Sequence, residues 1–212
     1  LCTGIVCLFF QTFLLFIAKR FQKFHHHPNK LILLTGVWGC LLGVILLVKP
    51  EVLGIGHTIF EDAIENSLPF IPAILILATR IPLSAISYAT GAPGGLIVPA
   101  LLFGVLSGQA FSTSYAFMVG GVDADFHSVC LVAGMAASIG ALFRTPLTAT
   151  IMAVEITGAY DCVLEISIAY LAAHSLLGLA RQPDLYTALG RIHEGDTGKQ
   201  AARIDAARSS IH

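Results

Sequence analysis

The chain has 212 residues, a formal net charge of −1, 56% hydrophobic residues and only 12% charged residues. A soluble domain carries about 25% charged residues, so this composition and the mean hydropathy of +0.81 exclude an ordinary soluble globule and indicate a membrane protein. The near-neutral charge gives no electrostatic reason to expect nucleic acid as a partner.

The first part of the chain predicts two membrane helices joined by a basic loop. Residues 1–18 and 31–48 are apolar, and about 20 such residues cross the ~30 Å hydrocarbon core. The loop 19–30 carries four cations, Lys19, Arg20, Lys23 and Lys30. An excess of Lys and Arg marks the cytoplasmic side, where we expect this loop. The chain begins with Leu1 and shows no basic segment before its first apolar run, so we expect a fragment rather than a signal peptide.

The cysteines and the histidine run indicate neither a metal site nor a disulfide. All five cysteines lie within or beside apolar runs and none forms a CxxC pair, so we interpret them as small buried apolar side chains. His25, His26 and His27 are consecutive, and consecutive residues of a helix cannot all face one ion. We therefore place the histidines in a solvated loop and expect no metal.

The next two segments are a polar stretch and an apolar run with three prolines. Residues 49–67 predict an interfacial stretch or short helices, and residues 68–89 are apolar with Arg80 inside the run. A charge in lipid is costly and is a functional candidate by default. We favour a structural role, in which Arg80 snorkels or pairs with a carboxylate such as Glu155 or Glu61.

A glycine-rich turn follows, with the sequence TGAPGGLIVPALLFG from Thr90 to Gly104. Pro99 falls in the first turn of the apolar run, where a helix tolerates proline. Glycine lets the backbone come close to whatever lies in front of that helix end. The bare helix N-terminus offers N–H donors and about half a positive charge, so it attracts anions.

The remaining runs alternate with short breaks. We expect a helix over residues 96–118 with a break near Ser112–Ser114, and a small-residue helix over 129–143, which allows close helix approach. The following pieces are a break at residues 144–146, a run over 147–156 that is too short to span, a last apolar run over 162–180, and a polar tail from Arg181.

Several of these runs are too short, or too broken by proline and glycine, to be simple spans. Broken helices are tolerated in lipid only where protein or a water-filled cavity covers the freed backbone groups. The pattern therefore favours a transport pathway over a plain membrane anchor.

Three blocks follow one another in the sequence: GAPGGLIVP (91–99), GMAASIGALFRTPLTATIMAVEITGAY (134–160) and PDLYTALGRI (183–192). Together they resemble one family, the CLC chloride channels and proton-coupled chloride exchangers. The first is similar to the family's GxFxP anion motif, the second to its helix–RxPLT–helix–E-x-T block, and the third to the start of its last helix. The resemblance covers residues 1 to about 191.

The resemblance implies an all-α polytopic membrane protein with the CLC-type inverted-repeat fold. Residues 1–191 would form the last helix of the first repeat followed by the second repeat, and residues 192–212 a polar cytoplasmic tail. The family's GSGIP block and its block with the gating glutamate are absent from this sequence. We therefore expect the chain alone to form half a permeation pathway.

The resemblance also implies the anion ligands. The matched motif contains Gly95, Leu96, Ile97 and Pro99. Leu96 and Ile97 would donate backbone N–H groups, and Tyr186 is the matched tyrosine, whose phenol can donate a hydrogen bond. Ile97 stands where the family usually has phenylalanine, which leaves backbone donation intact but affects any aromatic gate. Arg144 is expected at a helix end, where it could satisfy terminal carbonyls, and Glu155 has a structural role.

The implied function is transmembrane chloride transport, as a channel or as an H⁺/Cl⁻ exchanger. Its partners would be chloride, protons and the lipid bilayer in a multi-pass homodimer, with no covalent chemistry and no cofactor. A rival interpretation is a transport-inactive half-protein that dimerises or scaffolds. An enzyme is not indicated, because the sequence has no HExxH, no GxSxG and no paired aspartates on apolar helices.

Overall fold

The chain is all-helical in the computed structural model, which describes residues 1–25, 28–48, 69–90 and 95–192. No strand occurs within these ranges, which confirms the predicted fold class. A short 3₁₀ turn, Tyr160–Cys162, precedes α7. The helices are α1 (Cys2–His25), α2 (Pro28–Val48), α3 (Phe70–Ala89), α4 (Ile97–Val119), α5 (Ala124–Phe143), α6 (Pro146–Thr157), α7 (Val163–Leu179) and α8 (185–192).

Five helical segments of the described chain are long and apolar enough to cross a membrane. They are residues 2–21 of α1, the whole of α3, α4 and α5, and residues 160–179 around α7. At 12 residues, α6 is too short to cross, as the sequence predicted. The break at residues 144–146 is also confirmed, because α5 ends at Phe143 and α6 begins at Pro146.

Two pairs of neighbouring helices run antiparallel. Along α2 and α3, the Thr35 hydroxyl donates to the Thr90 carbonyl and the Trp38 indole donates to the Ser87 hydroxyl. Since residue numbers rise along α2 as they fall along α3, the two helices run in opposite directions. Along α4 and α5, Gly104 lies against Gly134.

Glycine makes the α4–α5 contact possible. A Cβ on Gly104 would lie 2.4 Å from the Gly134 carbonyl oxygen, and a Cβ on Gly108 would lie 2.3 Å from the Cys130 carbonyl oxygen. Real Cβ atoms cannot approach backbone so closely, so only glycine allows these helix axes to come together. The prediction of close approach in the small-residue block is confirmed here.

Two hydrophobic cores hold the helices together. The main core consists of buried residues from α1, α3, α4, α5, α7 and α8, including Phe10, Phe103 and Leu185. The rings of Phe10 and Phe103 lie 4.8 Å apart. The second core is smaller and joins α4, α5, α6 and α7. The start of α4 and the whole of α8 are thereby fixed by one core.

The predicted break near Ser112–Ser114 is wrong, because α4 is continuous from Ile97 to Val119. The hydroxyls of Thr113 and Ser114 donate to the carbonyls four residues earlier in the same helix, at 2.9 and 2.7 Å, so they are satisfied without breaking it. Ser112 instead pairs with His127 of α5, at 2.7 Å between Oγ and Nδ1. The polar residues therefore bond within and between helices and do not end one.

The basic loop predicted over residues 19–30 is also largely helical. α1 continues to His25 and α2 begins at Pro28, while His26 and His27 lie outside the described residues. Lys, Arg and Gln are good helix formers, and proline is favoured in the first turn of a helix. Polarity therefore did not mark the end of the helix. The stretch 49–67 lies outside the described residues.

Burial separates the cysteines into groups. Cys7 is buried as predicted, and Cys130 and Cys162 are half-buried. The prediction is wrong for Cys2 and Cys40, which are exposed because they lie on outward faces of their helices. All five are free thiols.

Arg80 lies in the middle of α3 and is only 7% exposed. Glu155 is exposed on α6, and Glu61 lies outside the described residues. Pairing of Arg80 with one of these carboxylates stays a prediction.

Candidate anion site at the start of α4

The start of α4 is an uncapped helix N-terminus. Leu96 is the N-cap residue and provides no side-chain hydrogen bond, and no acidic side chain lies in the first turn. The first intrahelical bond runs from the Ala100 N–H to the Leu96 carbonyl, at 3.1 Å. The earlier N–H groups have no partner within their own helix, and Pro99 has none to offer. The positive end of α4 is therefore not neutralised by its own side chains.

The core fixes this terminus in place. Leu96 is buried at 3% exposure and joins Ala100 in the main core, whereas Ile97 and Gly95 are exposed. Residues 91–94, the first part of the glycine-rich turn, lie outside the described residues. The first turn of α4 is therefore anchored in the core through Leu96, and it is exposed at Ile97.

Tyr186 lies on α8 and is held by its ring. It is the second residue of the helical stretch 185–192, so the predicted start of the last helix is confirmed. The ring stacks on Phe143, with centroids 5.0 Å apart, and the residue is 52% exposed. The stacking restricts the orientation of the ring.

The two halves of the predicted site are both attached to the main core. Leu185 and Leu189 of α8 lie in the same buried cluster as Leu96. The structure therefore anchors α8 and the start of α4 in one core.

A Schellman motif ends α7 before the chain enters α8. The Gln182 N–H donates to the Leu177 carbonyl at 3.2 Å, and the Arg181 N–H donates to the Gly178 carbonyl at 3.0 Å. Arg181 adopts the left-handed conformation, with φ of 51°, that this motif requires. Pro183 follows, which prevents α7 from continuing.

Asp184 begins α8 as its N-cap, a role that the sequence analysis missed. Its carboxylate Oδ2 accepts the Thr187 N–H at 2.9 Å. The pKa of Asp184 is lowered, mainly by this hydrogen bond from Thr187 and further by the positive charge of Arg144, against a raising effect of desolvation. An aspartate three residues before a helical N–H is a recognisable cap signal, so the sequence contained the information.

Two further side chains reach the connection between α7 and α8. Arg144 is the C-cap of α5, with φ of 55°, which confirms its predicted place at a helix end. Its guanidinium donates to the Gln182 carbonyl, so the carbonyl belongs to another element and not to the end of α5. Gln11 of α1 donates through Nε2 to the Pro183 carbonyl. Sequence analysis missed Gln11, although a polar residue inside an apolar helix is a signal in itself.

The described residues contain no group of three or more His, Cys, Asp or Glu side chains that could hold a metal ion. The donors at the start of α4 are backbone N–H groups, and the predicted side-chain donor, Tyr186, is a phenol. Such neutral donors match an anion rather than a cation.

Together, the apolar spanning helices, the short α6 and the uncapped terminus of α4 define an integral, multi-pass membrane protein with broken helices. The chain belongs to the voltage-gated chloride channel family, since the family profile described as "Voltage gated chloride channel" matches residues 1–178.

Curated relatives agree with this assignment. The chain is 31% identical over 204 residues to the H(+)/Cl(-) exchange transporter ClcA of Salmonella arizonae, covering 95% of this chain and 42% of the relative. It is 30% identical, with the same coverage, to the proteins of that name in Salmonella paratyphi B and Salmonella newport. The chain therefore spans about two fifths of the length of the curated relatives it matches.

Proposed function

We propose that this chain supplies the second half of a transmembrane chloride pathway, in which chloride binds between the start of α4 and Tyr186. The ligand set consists of Gly95, Leu96, Ile97, Pro99 and Tyr186. The observation that carries the proposal is the uncapped N-terminus of α4, with Leu96 anchored in the same core as α8.

The chemistry of this arrangement suits a monovalent anion. The backbone N–H groups of Leu96 and Ile97 donate, and the helix dipole adds about half a positive charge at the same end. Gly95 keeps side-chain atoms away from the approach, and Pro99 presets the first turn. The apolar surroundings strengthen these interactions because water screens them less.

The two candidate transport modes, channel and exchanger, are taken from the relatives and not from the geometry of this site. The family profile is named for voltage-gated channels, and the similar Salmonella proteins are named H(+)/Cl(-) exchange transporters. Both modes need a chloride site in a pathway through the membrane. We propose that the working unit is a homodimer in the lipid bilayer that moves chloride, alone or against protons, with no cofactor and no covalent chemistry.

The rival proposal is a transport-inactive half-protein that serves as a dimerising or regulatory scaffold. The two proposals differ in one measurable property: a scaffold has no need for selective chloride affinity at α4.

Calorimetric titration of the purified protein with sodium chloride tests the site. Tyr186→Phe keeps the ring stacked on Phe143 but removes the hydroxyl donor. A hydrogen bond to a charged group contributes about 1.5–3 kcal/mol, so we expect chloride affinity to fall roughly ten-fold or more. Gly95→Pro should weaken binding further, because it fixes φ and disturbs the turn that presents the N–H groups.

Ile97→Phe is the matched control. The donor at this position is the backbone, and the side chain is exposed, so chloride affinity should stay within about two-fold even if turnover changes. Unchanged affinity in both Tyr186→Phe and Gly95→Pro would show that the anion binds elsewhere, and the proposal would be withdrawn.

A further inference from the structure

The connection between α7 and α8, residues 180–184, is held by side chains from two distant helices. Arg144 donates to the carbonyl of Gln182, and Gln11 donates to the carbonyl of Pro183. The donors lie 38 and 172 residues away in sequence. Two successive carbonyls of one turn are thus tied to α5 and α1.

The direction of the Gln11 contact is fixed by its chemistry. A carbonyl can only accept, so the amide atom facing Pro183 must be the NH₂ group of Gln11. Gln11 is fully buried in the middle of α1, and its Oε1 atom has no hydrogen-bond partner in the described part of the chain. A buried amide with one atom unsatisfied is costly, and a methionine of similar shape would fill the same space in an apolar helix.

Several other backbone groups of the turn are bonded within the two helices that it joins. The N–H groups of Arg181 and Gln182 close the Schellman motif, and the Asp184 carbonyl accepts the Ala188 N–H at 3.0 Å. The carbonyls of Gln182 and Pro183 have no role in either helix. They are the points at which the turn can be attached to the rest of the molecule.

These contacts lie next to the first turn of α8, which carries Tyr186. Tyr186 lies three residues beyond Pro183, on the first turn of α8. Leu185 and Leu189 hold α8 against the main core, which fixes its buried face. The two carbonyl contacts add points of attachment at the N-terminal end of α8 and restrict how the helix turns and slides on that core.

From this geometry we infer that Gln11 and Arg144 are positioning residues for Tyr186, and that they hold its hydroxyl in line with the start of α4 through the Gln182–Pro183 turn. The inference rests on the proposed anion site. Neither residue touches the anion, so each acts on chloride affinity only through Tyr186.

The test uses isosteric variants of the purified protein. Gln11→Met and Arg144→Met remove the donors, and Arg144→Lys keeps a cationic donor. The matched control is Thr3→Val, which also removes a buried polar group from α1 but bonds to Ser107 of α4 and not to the turn. Arg144 is exposed, so we expect its variants to fold. They provide the test if Gln11→Met fails to fold.

Two readouts separate positioning from general damage. In the first, ¹⁹F NMR follows 3-fluorotyrosine at position 186, assigned by its loss in Tyr186→Phe. We expect a shifted or broadened signal in Gln11→Met and Arg144→Met, a return toward wild type in Arg144→Lys, and no change in Thr3→Val.

The second readout is sodium chloride titration in two backgrounds. Coupled neighbours deviate measurably from additivity, so we expect Gln11→Met and Arg144→Met to weaken chloride affinity about three- to ten-fold in the wild-type background. In the Tyr186→Phe background the same changes should have an effect below about two-fold. Thr3→Val should change affinity in neither background.

The outcomes distinguish the inference from the proposed site. An unchanged fluorotyrosine signal in both donor-removing variants, or an affinity loss that persists undiminished with Tyr186→Phe, would overturn the positioning role. A shifted signal together with a Tyr186→Phe variant of wild-type affinity would support positioning but refute the anion site.

Discussion

At the level of a single residue, Asp184 determines where α8 begins. Its carboxylate caps the Thr187 N–H, and loss of such a cap costs about 0.5–2 kcal/mol. We therefore expect Asp184→Ala to lower the free energy of unfolding by about 1 kcal/mol at pH 7. Unfolding in mixed detergent micelles, followed by circular dichroism, measures this difference.

The same contact predicts a pH dependence of definite sign. The pKa of Asp184 is lowered in the folded protein, mainly by the hydrogen bond from Thr187. Its stabilising contribution is therefore fully present above the unfolded carboxyl pKa of about 3.9 and is lost as pH falls through the lower folded value. The difference in free energy of unfolding between wild type and Asp184→Ala should therefore disappear in this acid range.

Asp184→Asn is the matched control, because asparagine is an equally good N-cap without a titrating group. It should keep most of the stability at pH 7 and show no specific loss in acid. Equal stability of wild type and Asp184→Ala at pH 7 would contradict the capping role.

Sequence reasoning located single residues well where the signal is local. Pro99 in the first turn of α4 and Arg144 at the end of α5 are placed as predicted, because proline and arginine have preferences that act within a helical turn. The contact of Gln11 with Pro183 joins residues 172 positions apart. No local pattern encodes such a contact, so only the folded structure shows it.

At the level of helices, the α4–α5 pair depends on glycine. Gly104→Ala would place a Cβ 2.4 Å from the Gly134 carbonyl oxygen, and backbone cannot move aside as a flexible side chain can. Overpacking typically costs 1–3 kcal/mol, and we expect a loss of about 3 kcal/mol for this variant. Unfolding with sodium dodecyl sulfate in mixed micelles measures the change.

Gly43→Ala on α2 is the matched control, because a Cβ there meets nothing within 4 Å. Alanine is a better helix former than glycine by about 1 kcal/mol, so this variant should be equally stable or more stable. If Gly104→Ala were as stable as Gly43→Ala, the helices would not be held as closely as the structure shows.

Helix boundaries were the less predictable part of the elements. The sequence analysis ended α1 at the first basic residues and broke α4 at Ser112–Ser114, yet both helices continue. In each case polarity was taken as an end of the helix. Lysine and arginine sustain helices well, and serine and threonine in an apolar helix satisfy their hydroxyls on carbonyls of the preceding turn.

At the level of the whole molecule, the chain spans 42% of the length of its Salmonella relatives. We predict that residues 1–212, purified alone and reconstituted in liposomes, carry no selective chloride flux. The physical reason is that a pathway lined by half the ligands leaves its polar backbone groups open to lipid. Chloride efflux, measured with an ion-selective electrode, tests this, with the H(+)/Cl(-) exchange transporter ClcA of Salmonella arizonae as the positive control. Robust chloride-selective efflux from residues 1–212 would refute the prediction.

The direction of each helix bears on the topology of the chain. α2 and α3 are antiparallel, as are α4 and α5. Arg144 at the end of α5 reaches Gln182 just after α7, so these two helices end at the same level. α6 must therefore carry the chain back toward the level at which α5 began. Its 12 residues span about 18 Å. We expect the six described helices α2 to α7 to alternate in direction, which brings the chain back to the side from which α2 started.

This even count predicts that the basic segment 19–30 and the tail after Arg191 lie on the same side of the membrane. The Lys and Arg content of both segments indicates that this is the cytoplasmic side. Single cysteines at Asn29 and Ser209, introduced after replacement of the five native cysteines, should react alike with a membrane-impermeant maleimide in right-side-out and inverted vesicles. A cysteine in the α4–α5 connection, at Gly121, should react from the opposite side, because three helices separate it from Asn29. Labelling of Asn29 and Ser209 from opposite sides would mean that α6 does not return the chain, and the antiparallel order of α5, α6 and α7 would be wrong.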